Sequence, residues 1–198
     1  VNKNGERFID EGADFRNYTY AKYGQEVLKQ PEQAAWQIYD GKALHLLTDE
    51  YRTRLVTKVS SDTIEGLVDQ LDEVNRERLL KTIHEYNAAV DTSTPFNANT
   101  LDGRSAKGLL IPRSNWANPI DTPPFHAYAV TCGITFTFGG LKVDTNAQVI
   151  DRDGKPIPGL FAAGEMVGGI FYHNYPGASG LTSGTVFGRL AGKSAATL

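Results

Sequence analysis

"GLFAAGEMVGGIFYHNYPGASGLTSGTVFGRLAGKSAA", residues 159–196, is the most informative stretch of the chain. Its first apolar run, "GLFAAG", reads as a short buried strand, and its last third reads as a helix from about Ser179 to Ala196. Between them lie glycines. Gly164 follows the strand directly, where a missing Cβ lets the backbone approach a ligand. Glu165, next in line, can accept hydrogen bonds from sugar hydroxyls. "PGASGLTSG" then delivers the backbone N–H groups of Ser179, Gly180 and Leu181 at a helix start, a place that favours negative charge. A tight turn followed by a buried helix packed through Gly and Ala fits the same residues, and spacing alone does not choose between the two. A nucleotide-binding fold of this kind opens with Gly-x-Gly-x-x-Gly, and the sequence contains no such loop.

Outward from that stretch, the remaining elements follow from pattern. Val1 to Glu11 reads as a hairpin about the turn-former Asn4-Gly5. "FRNYTYAKYG" lacks clean periodicity and reads as a loop or short helix. Pro31 opens a helix over "PEQAAWQIYD", and "TDEYRTRLV" forms another short one. Asp62 and Glu65 have capping-box spacing ahead of "GLVDQL". Asn75 caps a helix in which Leu79, Ile83, Tyr86 and Val90 form one apolar face. Residues 92–124 are a long connection rich in Thr, Asn, Gly and Pro. From Tyr128 the period becomes that of strands: "YAVTCGITFTF", "LKVDT" and "AQVID" form a meander, with Asp153-Gly154 as the next turn. No internal repeat appears.

The bulk properties bound the function. With 198 residues the chain can bury a real core. A net charge of −3 gives no basic excess and argues against a nucleic-acid partner. The single cysteine, Cys132, excludes an internal disulfide, reads as a small buried hydrophobe, and fits a reducing, cytoplasmic setting. No stretch reaches the roughly 20 apolar residues of a membrane span, and no signal peptide is visible. No His, Cys or carboxylate grouping has zinc-ligand spacing, so no metal is expected. A start at Val1 rather than Met suggests a piece of a longer chain.

"VNKNGERFIDEG", "VTCGITFTFGGLKVD", "DGKPIPGLFAAGEMVGG" and "GASGLTSGTVFGRLAG" resemble, in order, successive motifs of the fumarate reductase/succinate dehydrogenase flavoprotein superfamily. Within it, "NWANPIDTPPFHAYAVTCGITFTFGG" and "GGIFYHNYPGASGLTSG" are most similar to the FAD-dependent tricarballylate dehydrogenases. The resemblance implies an α+β chain. Residues 1–124 would be a helical capping, substrate-side domain with a leading β-hairpin. Residues 125–198 would be the strand meander and helix that return to an incomplete Rossmann-like FAD domain, whose glycine fingerprint lies before Val1. FAD is the implied cofactor of the full-length protein, held by Gly164, Glu165, Ser179, Gly180 and Leu181, and the isolated chain would bind it weakly or not at all.

The implied reaction removes two hydrogens from adjacent carbons of a polycarboxylate, tricarballylate to cis-aconitate, with a hydride passing to flavin N5. Arg16, in "DEGADFR", matches the superfamily's proton-transferring arginine after a one-residue insertion; a surface pair with Asp14 or Glu11 is the alternative. Fumarate reductases clamp a substrate carboxylate with a histidine and an arginine where this chain reads Thr135-Phe136-Thr137-Phe138 and Tyr175. Tyr175 and His173 are therefore the candidates for orienting substrate, as hydrogen-bond donors. The Tyr-Pro-Gly segment is similar to that of 3-ketosteroid dehydrogenases, so a ketosteroid or a plain fumarate/succinate enzyme is the alternative. His126 and Thr135 are lesser candidates, and His45 and His84 read as structural. The expected partners are a small carboxylate substrate and a separate electron acceptor, in this family often membrane-associated. As a second reading, the isolated chain is an inactive module that dimerises through surface its missing half should cover.

Overall fold

The computed structural model describes residues 1–134 and 136–198, so Thr135 lies outside the described residues. The chain forms two units: Val1–Phe15 with Tyr23–Cys132, and Arg16–Lys22 with Gly133–Leu198.

The first unit is built on a three-stranded antiparallel sheet. β1 (Ala34–Tyr39) and β2 (Lys58–Ser61) both pair with β3 (Phe125–Thr131), which lies between them. The register sets Ile38 and Val59 either side of Ala127. Successive side chains of a strand point to opposite faces. One face therefore gathers Trp36, Ile38, Val59, Phe125 and Ala127, and these pack with Leu67, Val68, Leu71, Leu79 and Ile83. Those partners come from α2 (Ile64–Val68), α3 (Arg76–Ala89) and the turn between them. The opposite face carries Tyr39 and Tyr128 under Tyr51, with ring centroids 5.0 to 6.0 Å apart and edges meeting faces.

Several local expectations are corrected here. Pro31 opens only a 3-10 turn, Pro31–Gln33, because Glu32 and Gln33 take left-handed φ values of 55° and 57°. The chain then enters β1, where Trp36 and Ile38 alternate with Gln37 and Tyr39; the period of two overrides the proline signal. The Asn4-Gly5 turn forms, with the Gly5 amide donating to Asn2 O at 3.0 Å, but no strands flank it, so there is no leading hairpin. The cap of α2 is Thr63, whose hydroxyl accepts from the Gly66 amide at 3.1 Å, rather than Asp62. "TDEYRTRLV" holds a 3-10 turn, Asp49–Arg52. Asn75 caps α3 as its sequence indicates, accepting from the Arg78 amide at 3.0 Å. The long connection after α3 is anchored by Asn87, which exchanges two hydrogen bonds with the Ile120 backbone.

The second unit holds the initial residues of α1 (Arg16–Leu28), a 13-residue helix, the second of the two readings its sequence left open. It also contains the two-stranded sheet of β4 (Gln148–Ile150) and β5 (Pro156–Phe161) and the 17-residue α4 (Ser179–Ala195). The Asp153-Gly154 turn connects β4 to β5, with Gly154 at φ 80°. The meander expected to run on from Tyr128 is shorter: its first strand belongs to the first unit's sheet. The core of the second unit is small, with Val149, Ala162 and Val167 buried and Phe187 of α4 packed against them.

Candidate active site

All three residues expected to act on substrate, Arg16, His173 and Tyr175, fall in the second unit. The site begins at the exit of β5. Gly164 opens a 3-10 turn, Gly164–Met166, at φ 79°, a backbone setting that only glycine adopts freely. Helix α4 crosses close to it: a Cβ on Gly184 would sit 3.6 Å from the Gly164 Cα. Glu165 Oε1 accepts from the Thr137 amide at 2.8 Å, and the Glu165 carbonyl accepts from the Thr137 hydroxyl at 3.4 Å. Those two bonds bind the Phe136–Phe138 segment to the Gly164 turn and leave Glu165 Oε2 without a partner among the described residues.

Tyr175 is the one buried member of its segment, 5% exposed. The segment enters through His173 at φ 65° and leaves through Ala178 at φ 67°, both left-handed. Asn174 holds it to α1, its Nδ2 donating to the Tyr18 carbonyl at 3.0 Å. The Tyr175 ring lies flat on Phe136, with centroids 3.9 Å apart and planes 5° apart. Phe171 meets it edge-on at 5.0 Å, and Tyr20 of α1 at 6.2 Å. At its far end, Tyr175 Oη accepts a hydrogen bond from the Gly180 amide at 2.7 Å. A Cβ on Gly180 would stand 2.5 Å from that oxygen, so glycine is what allows the approach. A phenol that accepts an N–H bond still has its own proton to donate, and Tyr175 is therefore a fixed hydrogen-bond donor.

The start of α4 is less open than its sequence suggests. The Ser179 amide and hydroxyl both donate to the Pro176 carbonyl, at 3.1 and 2.6 Å. The Gly180 amide is spent on Tyr175. Among the described residues, Leu181 carries the first amide of the helix with no acceptor in the chain, on a residue 78% exposed.

Arg16 begins α1, exposed. Among the described residues it forms no salt bridge. Glu11 is paired with Arg7 at 2.6 Å, and Asp14 Oδ1 accepts from the Phe15 amide at 2.7 Å. Burial pushes the Tyr20 phenol up, Tyr175 adds to that rise, and Arg16 opposes it. His173 is exposed, its ring against Tyr172 at 4.4 Å. His126 lies on β3 in the first unit, with its imidazole pushed down by burial and then by Lys58. His45 and His84 are exposed, on a 3-10 turn and on α3.

The sequence brought out Tyr175 and Arg16 but missed Phe136, Tyr20 and Asn174, which build the Tyr175 setting. The aromatic run "FTF" and the ring-rich "IFYHNY" were the available signals. Gly164, the unpaired Oε2 of Glu165 and the Leu181 amide together fit a ligand that is both hydroxyl-rich and anionic. A Cβ at Gly164 would meet nothing within 4 Å, so the space before the turn is open.

Comparison with known proteins agrees with this chemistry. The sequence profile of the FAD binding domain family matches residues 1–181. A urocanate reductase of Eggerthella lenta is 47% identical over 205 residues, covering 100% of this chain and 31% of that protein. The open conformation of a flavocytochrome c3 fumarate reductase superposes with a TM-score of 0.72 at 33% identity, covering 100% of this chain and 32% of that one. The 3-ketosteroid delta1-dehydrogenase of Sterolibacterium denitrificans gives 0.70 at 28% identity, covering 100% and 38%. The chain spans about a third or less of the first curated relatives it matches. With most of its length matched by that profile, the chain belongs to the FAD binding domain family.

Proposed function

We propose that the chain is part of an FAD-dependent oxidoreductase of the fumarate reductase and steroid dehydrogenase type. Its reaction adds or removes two hydrogens across a carbon–carbon bond next to a carboxylate or ketone. Bound FAD would exchange the hydride with the carbon β to that group. The observation that carries the reading is Tyr175: a buried phenol whose oxygen is engaged by the Gly180 amide, leaving its proton for an acceptor oxygen.

Each residue then has a task. Tyr175 donates to the carbonyl or carboxylate oxygen and stabilises the charge that develops there. Arg16 carries the proton exchanged at the α carbon. A guanidinium is a very weak acid, so the step requires a relay to solvent. His173 sits two residues from Tyr175 and orients substrate from the rim. The Glu165 carboxylate and the Leu181 amide face the cofactor, while the Ser179 and Gly180 amides act by shaping the start of α4.

Tricarballylate is not the preferred substrate. The relatives described above are named for urocanate, fumarate and a ketosteroid, and none of them for tricarballylate. A ketone substrate is the second reading, favoured by the steroid dehydrogenase likeness and by a phenol suited to a ketone oxygen. Electrons would enter or leave through a separate carrier protein.

The test is Arg16→Ala in the full-length, flavin-loaded protein. Bound FAD is expected to stay while turnover falls at least about 100-fold; undiminished turnover would sink the assignment. Stopped-flow oxidation of the reduced flavin by an enoic acid, set beside bleaching of the oxidised flavin by tricarballylate or a ketosteroid, separates the substrates.

A further inference from the structure

The segment from Asn174 to Gly177 carries Tyr175 and also grips the start of α1. Asn174 Nδ2 donates to the Tyr18 carbonyl at 3.0 Å. Three residues on, a Cβ at Gly177 would lie 3.4 Å from the Asn17 Cβ, so the Asn17 side chain packs over bare backbone there. The Tyr20 ring meets Tyr175 at 6.2 Å. All these residues belong to the second unit.

α1 depends on that grip. Phe15, at its N-cap, supplies no side-chain hydrogen bond, its first turn has no acidic residue, and Thr19 is its buried residue. A helix start with neither a cap nor burial frays. Arg16 is the first residue of that turn, two places before Tyr18.

The two ends of the Asn174 amide show what it is for. Its Oδ1 is buried and meets no donor among the described residues, and a buried oxygen without a donor destabilises. The Tyr18 carbonyl lies inside α1, where the helix itself supplies an amide, so it does not need Asn174 to be satisfied. Leucine, of nearly the same shape, would remove an unpaired oxygen and orphan nothing. Stability therefore does not account for Asn174, whereas the bond from its nitrogen to α1 does.

Building on the flavoenzyme reading above, we propose that Asn174 is a positioning residue: by tying the Tyr18 carbonyl to the segment that carries Tyr175, it holds Arg16 in register with the Tyr175 hydroxyl. In that reading Tyr175 serves the carbonyl or carboxylate oxygen and Arg16 the α carbon. A slip of about 1 Å of one against the other costs up to about 100-fold in rate.

The experiment is Asn174→Leu in the full-length, flavin-loaded protein, read first without substrate. Hydrogen exchange in the peptide spanning residues 16–22 should quicken at least about tenfold, while bound FAD is kept and the melting temperature does not fall. Turnover is followed as reoxidation of the dithionite-reduced flavin by fumarate or urocanate. Its kcat should drop about 10- to 100-fold, with KM within about threefold. In an Arg16→Ala background the same substitution should cost less than about twofold more, because its effect passes through Arg16. Asn174→Ala, which removes the amide without adding bulk, carries the same expectations where the leucine variant does not fold.

Unchanged exchange in residues 16–22 overturns the proposal. So does a full second loss of turnover on top of Arg16→Ala, or loss of FAD in both variants, which would make Asn174 a structural residue. The two readings fail separately. A flavin that neither acid reoxidises, with exchange quickened, defeats the reaction proposed above and leaves the tether standing. Turnover lost in Arg16→Ala but intact in Asn174→Leu defeats the positioning role alone.

Discussion

Gly180 shows how a single missing methyl fixes a neighbouring side chain. In a helix interior, Gly→Ala ordinarily stabilises, because alanine costs less backbone entropy and is about 1 kcal/mol better in propensity. At Gly180 the new Cβ would meet Tyr175 Oη at 2.5 Å, and Tyr175 is locked between Phe136 and Phe171. The clash is expected to win, with Gly180→Ala lowering stability by about 1–3 kcal/mol. Gly188, on the same helix, meets nothing within 4 Å, so Gly188→Ala should raise stability by about 0.4–1 kcal/mol. Thermal melts of the two variants side by side are the measurement, and equal shifts would remove the structural argument for the Tyr175–Gly180 contact. Tyr175 and Arg16 were legible because they sit in motifs. Phe136 was not, since its partner lies 39 positions later and no local pattern links them.

Among elements, α3 is the one whose stability the sequence states most fully. Asn75 satisfies an otherwise unpaired amide of its first turn, and Leu79, Ile83 and Tyr86 are buried along one face. Asn75→Ala should cost about 1 kcal/mol. Leu79→Ala, at a fully buried position, should cost about 2–5 kcal/mol. Urea denaturation followed by circular dichroism checks both, and a Leu79→Ala cost below that of Asn75→Ala would contradict the burial. Other elements hid their identity for physical reasons. β1 follows a proline that favours a helix start, but its own alternation of Trp36 and Ile38 prevails in contact with β3. α1 gave no periodic signal because it is largely uncovered, with Thr19 its buried residue. α4, rich in Gly and Ser, was still recognised because its small residues and preceding turn form a motif.

At the scale of the whole chain, the residues proposed to hold FAD offer, among the described residues, the Leu181 amide, one oxygen of Glu165 and the open backbone at Gly164. There is no Gly-x-Gly-x-x-Gly loop for the diphosphate. The 198-residue polypeptide is therefore expected to bind FAD more weakly than about 1 μM. Fluorescence titration tests this, and tighter binding with a yellow preparation would mean that these groups suffice. One feature of the first unit also sets a timetable. β3, the strand between β1 and β2, is drawn from Phe125–Thr131, about 90 positions after β1. During synthesis, both earlier strands leave the ribosome with their hydrogen-bonding edges open and must wait for that segment. At a pace of roughly 5–20 residues per second the wait lasts several seconds. Over that interval the nascent chain is a client for chaperones, and any pause before Thr131 lengthens its exposure.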